Sequence, residues 1–121
     1  MEHRRLFEGE QRFLQIIWAH EPVGSGELVR LCQTELGWKK STTYTMLKRL
    51  SEKGLVVNES TVVRSLVSRE DVQAAESEYV VEQTFSGSLP GFLVSFLGGR
   101  TISEHEAEEL KRLIDAHREQ N

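Results

Sequence analysis

Residues 37–66 read GWKKSTTYTMLKRLSEKGLVVNESTVVRSL, and the fold turns on how this stretch is patterned. From Ser41 to Lys53, Thr43, Met46, Leu47 and Leu50 recur at helical spacing. Ser41 is the predicted N-cap, because its hydroxyl can accept from a first-turn amide. Gly54 marks the end of this helix. Leu55–Val57 and Thr61–Leu66 then form two runs rich in β-branched residues, separated by Asn58-Glu59-Ser60. That pattern predicts a short hairpin.

Upstream, residues 9–20 (GEQRFLQIIWAH) place Phe13, Ile16, Ile17 and His20 on one helical face, and Pro22 with Gly24 stops the helix. A second helix starts at Gly24 or Ser25 and aligns Leu28, Leu31, Cys32 and Leu36. Gly37 stands where a helix ends in a left-handed residue. The link Gly37-Trp38-Lys39-Lys40 is short and contains glycine, as helix-turn-helix links do. Trp18 and Trp38 read as packing residues rather than base-stacking platforms.

Downstream the periodicity is helical throughout. Ser68 caps a helix through about Phe85, with Glu70 and Asp71 in its favourable first turn. A short helix runs from Ser88 to Leu97, with Pro90 tolerated in its first turn. Ser103 and Glu106 have capping-box spacing at the start of a last helix, whose stripe is Ala107, Leu110, Leu113 and Ile114. The predicted fold is therefore mainly α. An N-terminal winged helix-turn-helix domain of three helices and a short β-hairpin spans residues 1–67, and a C-terminal helical dimerisation domain spans 68–121.

The net charge of -4 is unevenly spread. Residues 1–64 carry ten Lys/Arg and eight Asp/Glu, whereas residues 65–121 carry five and eleven. A phosphate backbone meets the local field of the docking face, not the total charge. The stretch Lys39–Leu50 holds Lys39, Lys40, Lys48 and Arg49 and no acid. Thr42, Tyr44, Thr45, Lys48 and Arg49 point away from its apolar stripe. A helix of this width fits the major groove of DNA, where Lys and Arg reach phosphates or guanine edges and Thr reaches thymine methyls. With Lys39, Lys40 and Ser41 at the helix start, these eight residues are the candidate DNA-binding set. The competing reading is a polar face that is merely solvated.

A second constellation is apolar: Phe85, Leu89, Phe92, Leu93, Phe96 and Leu97, with Leu110, Leu113 and Ile114. A patch this apolar does not suit open solvent. It is the candidate dimer interface, the alternative being a core packed within one chain. Catalytic and metal readings find no support. His3, His20, His105 and His117 do not pair at metal-ligand spacing, and no glycine-rich phosphate loop follows a strand. No enzyme activity or cofactor is expected. The lone Cys32 sits on an apolar face and suits a reducing compartment. No signal peptide or membrane span is visible, so the expected location is cytoplasmic and no membrane partner is expected.

The segments EQRFLQIIW (10–18), GWKKSTTYTMLKRLSEKGL (37–55), LVSREDV (66–72), FSGSLPGFLVSFL (85–97) and ISEHEAEELKRL (102–113) together resemble the penicillinase-repressor family of winged-helix transcriptional repressors. The resemblance implies repression at dyad-symmetric operators, with double-stranded operator DNA and a second copy of the chain as partners. In antibiotic-responsive members it also implies induction by a sensor-controlled protease acting in the C-terminal domain. The family's scissile Asn-Phe pair corresponds here to Ser95-Phe96, the candidate cleavage position. The cysteine pairs of the copper-responsive branch are missing. The hairpin is shorter than is usual in the family, and its tip has no basic residue. Two other functions fit the same pattern: a protein-interaction module that has lost DNA affinity, and a regulator that responds to a small molecule.

Overall fold

The computed structural model describes residues 6–119. His3 lies outside them. The element order is α1 (Glu8–His20), β1 (Val23–Gly24), α2 (Ser25–Leu36), α3 (Lys40–Glu52), β2 (Val56–Glu59), β3 (Val62–Ser65), α4 (Arg69–Phe85), α5 (Leu89–Leu97) and α6 (Glu104–Ala116). Three helices followed by a hairpin make the winged helix-turn-helix, and the elements after the hairpin are helical, as the periodicity predicts, whereas the two-residue strand β1 is an addition to the predicted order. No described helix is long and apolar enough to cross a membrane.

The chain divides into two compact units. The first runs up to Val80 and the second begins at Val81. The core of the first is built by the predicted stripes. Phe13, Leu14, Ile16 and Ile17 of α1, Leu28 and Cys32 of α2, and Leu47 and Leu50 of α3 are buried with Val23, Val56 and Val63 of the sheet. Burying such side chains supplies roughly 1.5–3 kcal/mol each, so the helices are held by packing and not by propensity. His20 departs from expectation: it is the last residue of α1 and stands exposed. Trp38 stacks on Phe13 with centroids 5.6 Å apart, a packing role as predicted.

Gly37 ends α2 at φ 69°, ψ 23°, a left-handed conformation that glycine adopts without strain. The Gly37 and Trp38 amides close the helix by donating to the Gln33 and Cys32 carbonyls. This sharp stop leaves only three residues before α3. Burial pushes the Cys32 thiol above its usual range, with the Glu35 charge adding to the effect and the Thr43 hydroxyl offsetting part of it. A buried thiol of raised pKa is a core residue and not a reactive one.

The sheet is antiparallel in the order β1-β3-β2. The hairpin register pairs Glu59 with Val62, so its turn is Ser60-Thr61 rather than Asn58-Glu59-Ser60. Both turn residues have positive φ, at 51° and 64°. That conformation matches the twist of a two-residue hairpin but is unusual for a β-branched residue. Thr61 is held there from outside the hairpin: its carbonyl accepts the Ser25 amide at 2.8 Å. The two-residue strand β1 joins the sheet through the same corner, pairing Val23 with Val63.

In the second unit Ser88 and the predicted Ser103 both cap helices. The Ser88 hydroxyl accepts from the Gly91 amide at 2.9 Å and the Ser103 hydroxyl from the Glu106 amide at 3.0 Å. Phe92 sits edge-on to Phe85 at 5.5 Å and stacked with Phe96 at 6.0 Å.

Candidate nucleic-acid interface

α3 is positioned from below. Thr43, Leu47 and Leu50 are buried, and Met46 and Leu55 pack against the same core. A helix fixed along one stripe must present the opposite stripe to solvent. Lys39, Lys40, Ser41, Thr42, Tyr44, Thr45, Lys48 and Arg49 are all exposed, so the structure gathers the whole predicted set on one side of α3 and its start. The spacing builds two ridges: Lys40, Tyr44 and Lys48 at intervals of four, and Thr42, Thr45 and Arg49 at three and four. Lys40 Nζ lies 6.0 Å from the Tyr44 ring centroid, a cation–π approach that links the first ridge.

One detail corrects the sequence reading. Lys39, not Ser41, is the N-cap, and Ser41 lies inside the first turn. The helix begins earlier because the Lys39 carbonyl already accepts from the Thr43 amide at 3.1 Å. A lysine side chain has no acceptor to offer. No side chain caps the first-turn amides, and with Lys39 and Lys40 at the same helix start the combination favours an anion such as phosphate.

The far end of α3 is fixed by a buried charge pair. Glu10 of α1 is 1% exposed. Its Oε2 accepts from Lys53 Nζ at 2.7 Å and its Oε1 from the Phe7 amide at 2.9 Å. Burial works to raise the Glu10 pKa. The Lys53 and Phe7 hydrogen bonds and the fields of Lys53 and Arg49 outweigh it and hold the carboxyl below its ordinary 4.5. Lys53 follows the last helical residue of α3, so this pair ties that end of the helix to the start of α1.

The wing holds a residue absent from the predicted set. Arg64 of β3 is exposed, and its guanidinium pairs with Glu59 at the end of β2. In the observed register Glu59 opposes Val62 and Arg64 lies two positions further on, so the two are diagonal neighbours on one face. The signal was available in the sequence, but only with the turn placed at Ser60-Thr61.

Of the second predicted set, Phe85, Phe92 and Phe96 form one cluster and Leu89, Leu113 and Ile114 another. Helices α4, α5 and α6 bury no residue in the single chain. Phe85, Phe92, Leu93 and Leu97 are half-buried. Leu89, Phe96, Leu110, Leu113 and Ile114 are exposed, from 38% at Leu110 to 58% at Ile114. Leu89, Leu113 and Ile114 line one groove of about 410 Å³ with His117 and Arg118. Ser95 and Phe96 are both exposed within α5.

Known proteins match this sequence along nearly its whole length. The chain is 22% identical over 118 residues to a penicillinase repressor from Bacillus licheniformis, covering 94% of this chain and 92% of that protein. It is 23% identical over 114 residues to the methicillin resistance regulatory protein MecI of Mammaliicoccus sciuri and of Staphylococcus aureus (strain N315), covering 91% of this chain and 93% of each. The penicillinase repressor family matches residues 7–116, nearly the full length, and the chain belongs to that family.

Proposed function

We propose that this protein is a transcriptional repressor that binds dyad-symmetric operator DNA as a homodimer. The observation that carries the reading is the exposed face of α3, with Thr42, Tyr44, Thr45, Lys48 and Arg49 over a buried Thr43, Leu47 and Leu50, and with the one acid of the helix, Glu52, confined to its last residue. Its relatives, a penicillinase repressor and regulators of methicillin resistance, support the same role. In this reading α3 of each subunit lies in a major groove, with the two helices roughly 34–36 Å apart or a multiple of one turn. The lysines at its start hold phosphates, and the exposed ridges meet base edges. The apolar faces of α5 and α6 close against a second copy, because nothing within the single chain buries them. Removing the C-terminal helices, as a sensor-controlled protease acting at Ser95-Phe96 would, separates the half-site readers and ends repression.

The test is binding of the purified protein to duplexes it selects from a randomised pool, over a range of salt. Selection of a dyad, bound with a steep salt dependence, supports the reading. Recovery of no duplex above background overturns it in favour of a protein-interaction module.

A further inference from the structure

The hairpin and α4 are separated by only Leu66, Val67 and Ser68. This link is fastened to the winged domain along its length. The Leu66 amide donates to the Leu55 carbonyl at 2.8 Å. Trp18 Nε1 on α1 donates to the Val67 carbonyl at 3.0 Å. The Arg69 guanidinium lies over the same Trp18 ring, 5.0 Å from its centroid. Ser68 and Asp71 cap each other across the first turn of α4, and Val72 rests against the core. One indole thus grips the chain on both sides of the helix start: its edge by hydrogen bond, its face by a cation.

From these contacts we propose that Trp18, with Val67 and Arg69, is a latch that fixes the direction in which α4 leaves the winged domain and so sets the half-site spacing the repressor accepts. The proposal rests on the dimeric operator reading. Its physical basis is leverage. α4 has 17 residues, which at 1.5 Å per residue makes an arm of roughly 25 Å. A swing of about 10° at the base moves the far end by roughly 4 Å, more than the roughly 3.4 Å rise of one base pair along the DNA axis. An unlatched arm leaves each α3 intact but lets the pair sample several spacings. Trp18 and Arg69 are therefore positioning residues that touch no DNA.

The experiment compares wild type, Trp18→Phe and Arg69→Ala on the dyad duplex that wild type selects. The panel includes the same dyad with its centre changed by one and two base pairs in each direction, and a duplex with a single half-site. Trp18→Phe keeps the ring but loses the donor, and Arg69 is exposed, so its variant tests the latch even if the first fails to fold. Sedimentation confirms that each variant remains dimeric. The expected result is unchanged half-site affinity, a loss of roughly tenfold on the preferred dyad through reduced effective concentration, and a flattened preference among spacings. An unchanged spacing preference in the folded, dimeric variants overturns the latch while leaving the operator reading standing. So does a parallel loss on the half-site, which marks Trp18 and Arg69 as mere supports of the fold. If wild type itself selects no dyad, the operator reading falls and takes the latch with it.

Discussion

Glu10 and Lys53, 43 positions apart, meet at 2.7 Å and join the start of α1 to the end of α3. The carboxylate is buried and the ammonium keeps a quarter of its exposure. Removing one partner of a buried pair leaves the other charge uncompensated. Lys53→Met strands Glu10 and is expected to cost about 3 kcal/mol at neutral pH, measured by urea unfolding. The pH dependence follows from the depressed Glu10 pKa. In wild type the pair's contribution is present above the ordinary 4.5 and is lost as pH falls through the lower folded value. In Lys53→Met the stranded carboxylate is relieved by protonation, so the gap between variant and wild type should close on acidification. A gap that stays constant from pH 7 to pH 4 contradicts this account of the pair.

The exposed ridges of α3 yield a second prediction. Lys48→Ala and Arg49→Ala should each weaken operator binding without lowering the unfolding midpoint by more than a few degrees. If the lost side chain met a phosphate, the salt slope should fall by about 0.9. Lys48 is the cleaner probe, because the Arg49 charge also acts on buried Glu10. Unchanged affinity in both variants removes α3 from the interface.

The wing's basic residue is occupied. Glu59 holds Arg64 at the surface, where an exposed pair contributes less than about 1 kcal/mol to stability. The charge opposes DNA binding more than the pair supports the fold. Glu59→Lys is expected to tighten operator binding and steepen its salt slope by up to about 1.8, one phosphate contact from the new lysine and one from the freed Arg64. In the Arg64→Ala background the same change should give only about half that increment. Equal increments in both backgrounds show that Arg64 does not reach DNA.

Much of this architecture was legible because it is local. Phe13, Ile16 and Ile17, then Leu28 and Cys32, then Thr43, Leu47 and Leu50 repeat at helical period and are buried as that period requires. Gly37 announced the turn that sets α3 beside α2. What was not legible depends on contacts between distant residues. Two-residue β1 has too few residues to carry a pattern, and it is a strand only because β3 passes beside it. The Ser60-Thr61 turn lacks the glycine or asparagine that positive φ favours, and is held by the Ser25 amide, 36 positions away. That misplaced turn concealed the Glu59–Arg64 diagonal. Ser41 misled because a good capping residue lay within the first turn of a helix that starts on a carbonyl rather than on a side chain. The face of α3 is unaffected, since moving the N-cap by two residues does not rotate the helix's stripe.

In α5 the Phe96 ring stacks on Phe92 on one side, and the Arg100 guanidinium lies 4.7 Å from its centroid. Yet Phe96 remains 53% exposed in the single chain. An apolar side chain in that state contributes little to its own subunit and contributes fully only when a second surface covers it. Phe96→Ala should therefore leave the monomer's helical content intact and act on association. If the dimer covers the ring, truncation should weaken it by roughly 2–5 kcal/mol, the usual cost of a large-to-small change at a buried site. Two half-site readers held together bind far more tightly than one, through effective concentration alone. Operator affinity should accordingly fall in step with the dimer population, although α3 is untouched. Sedimentation velocity and operator titration over one concentration series measure both quantities on the same sample. A variant that stays dimeric at wild-type concentrations removes Phe96 from the interface. One that becomes monomeric yet binds the full dyad as tightly as wild type breaks the link between dimerisation and repression.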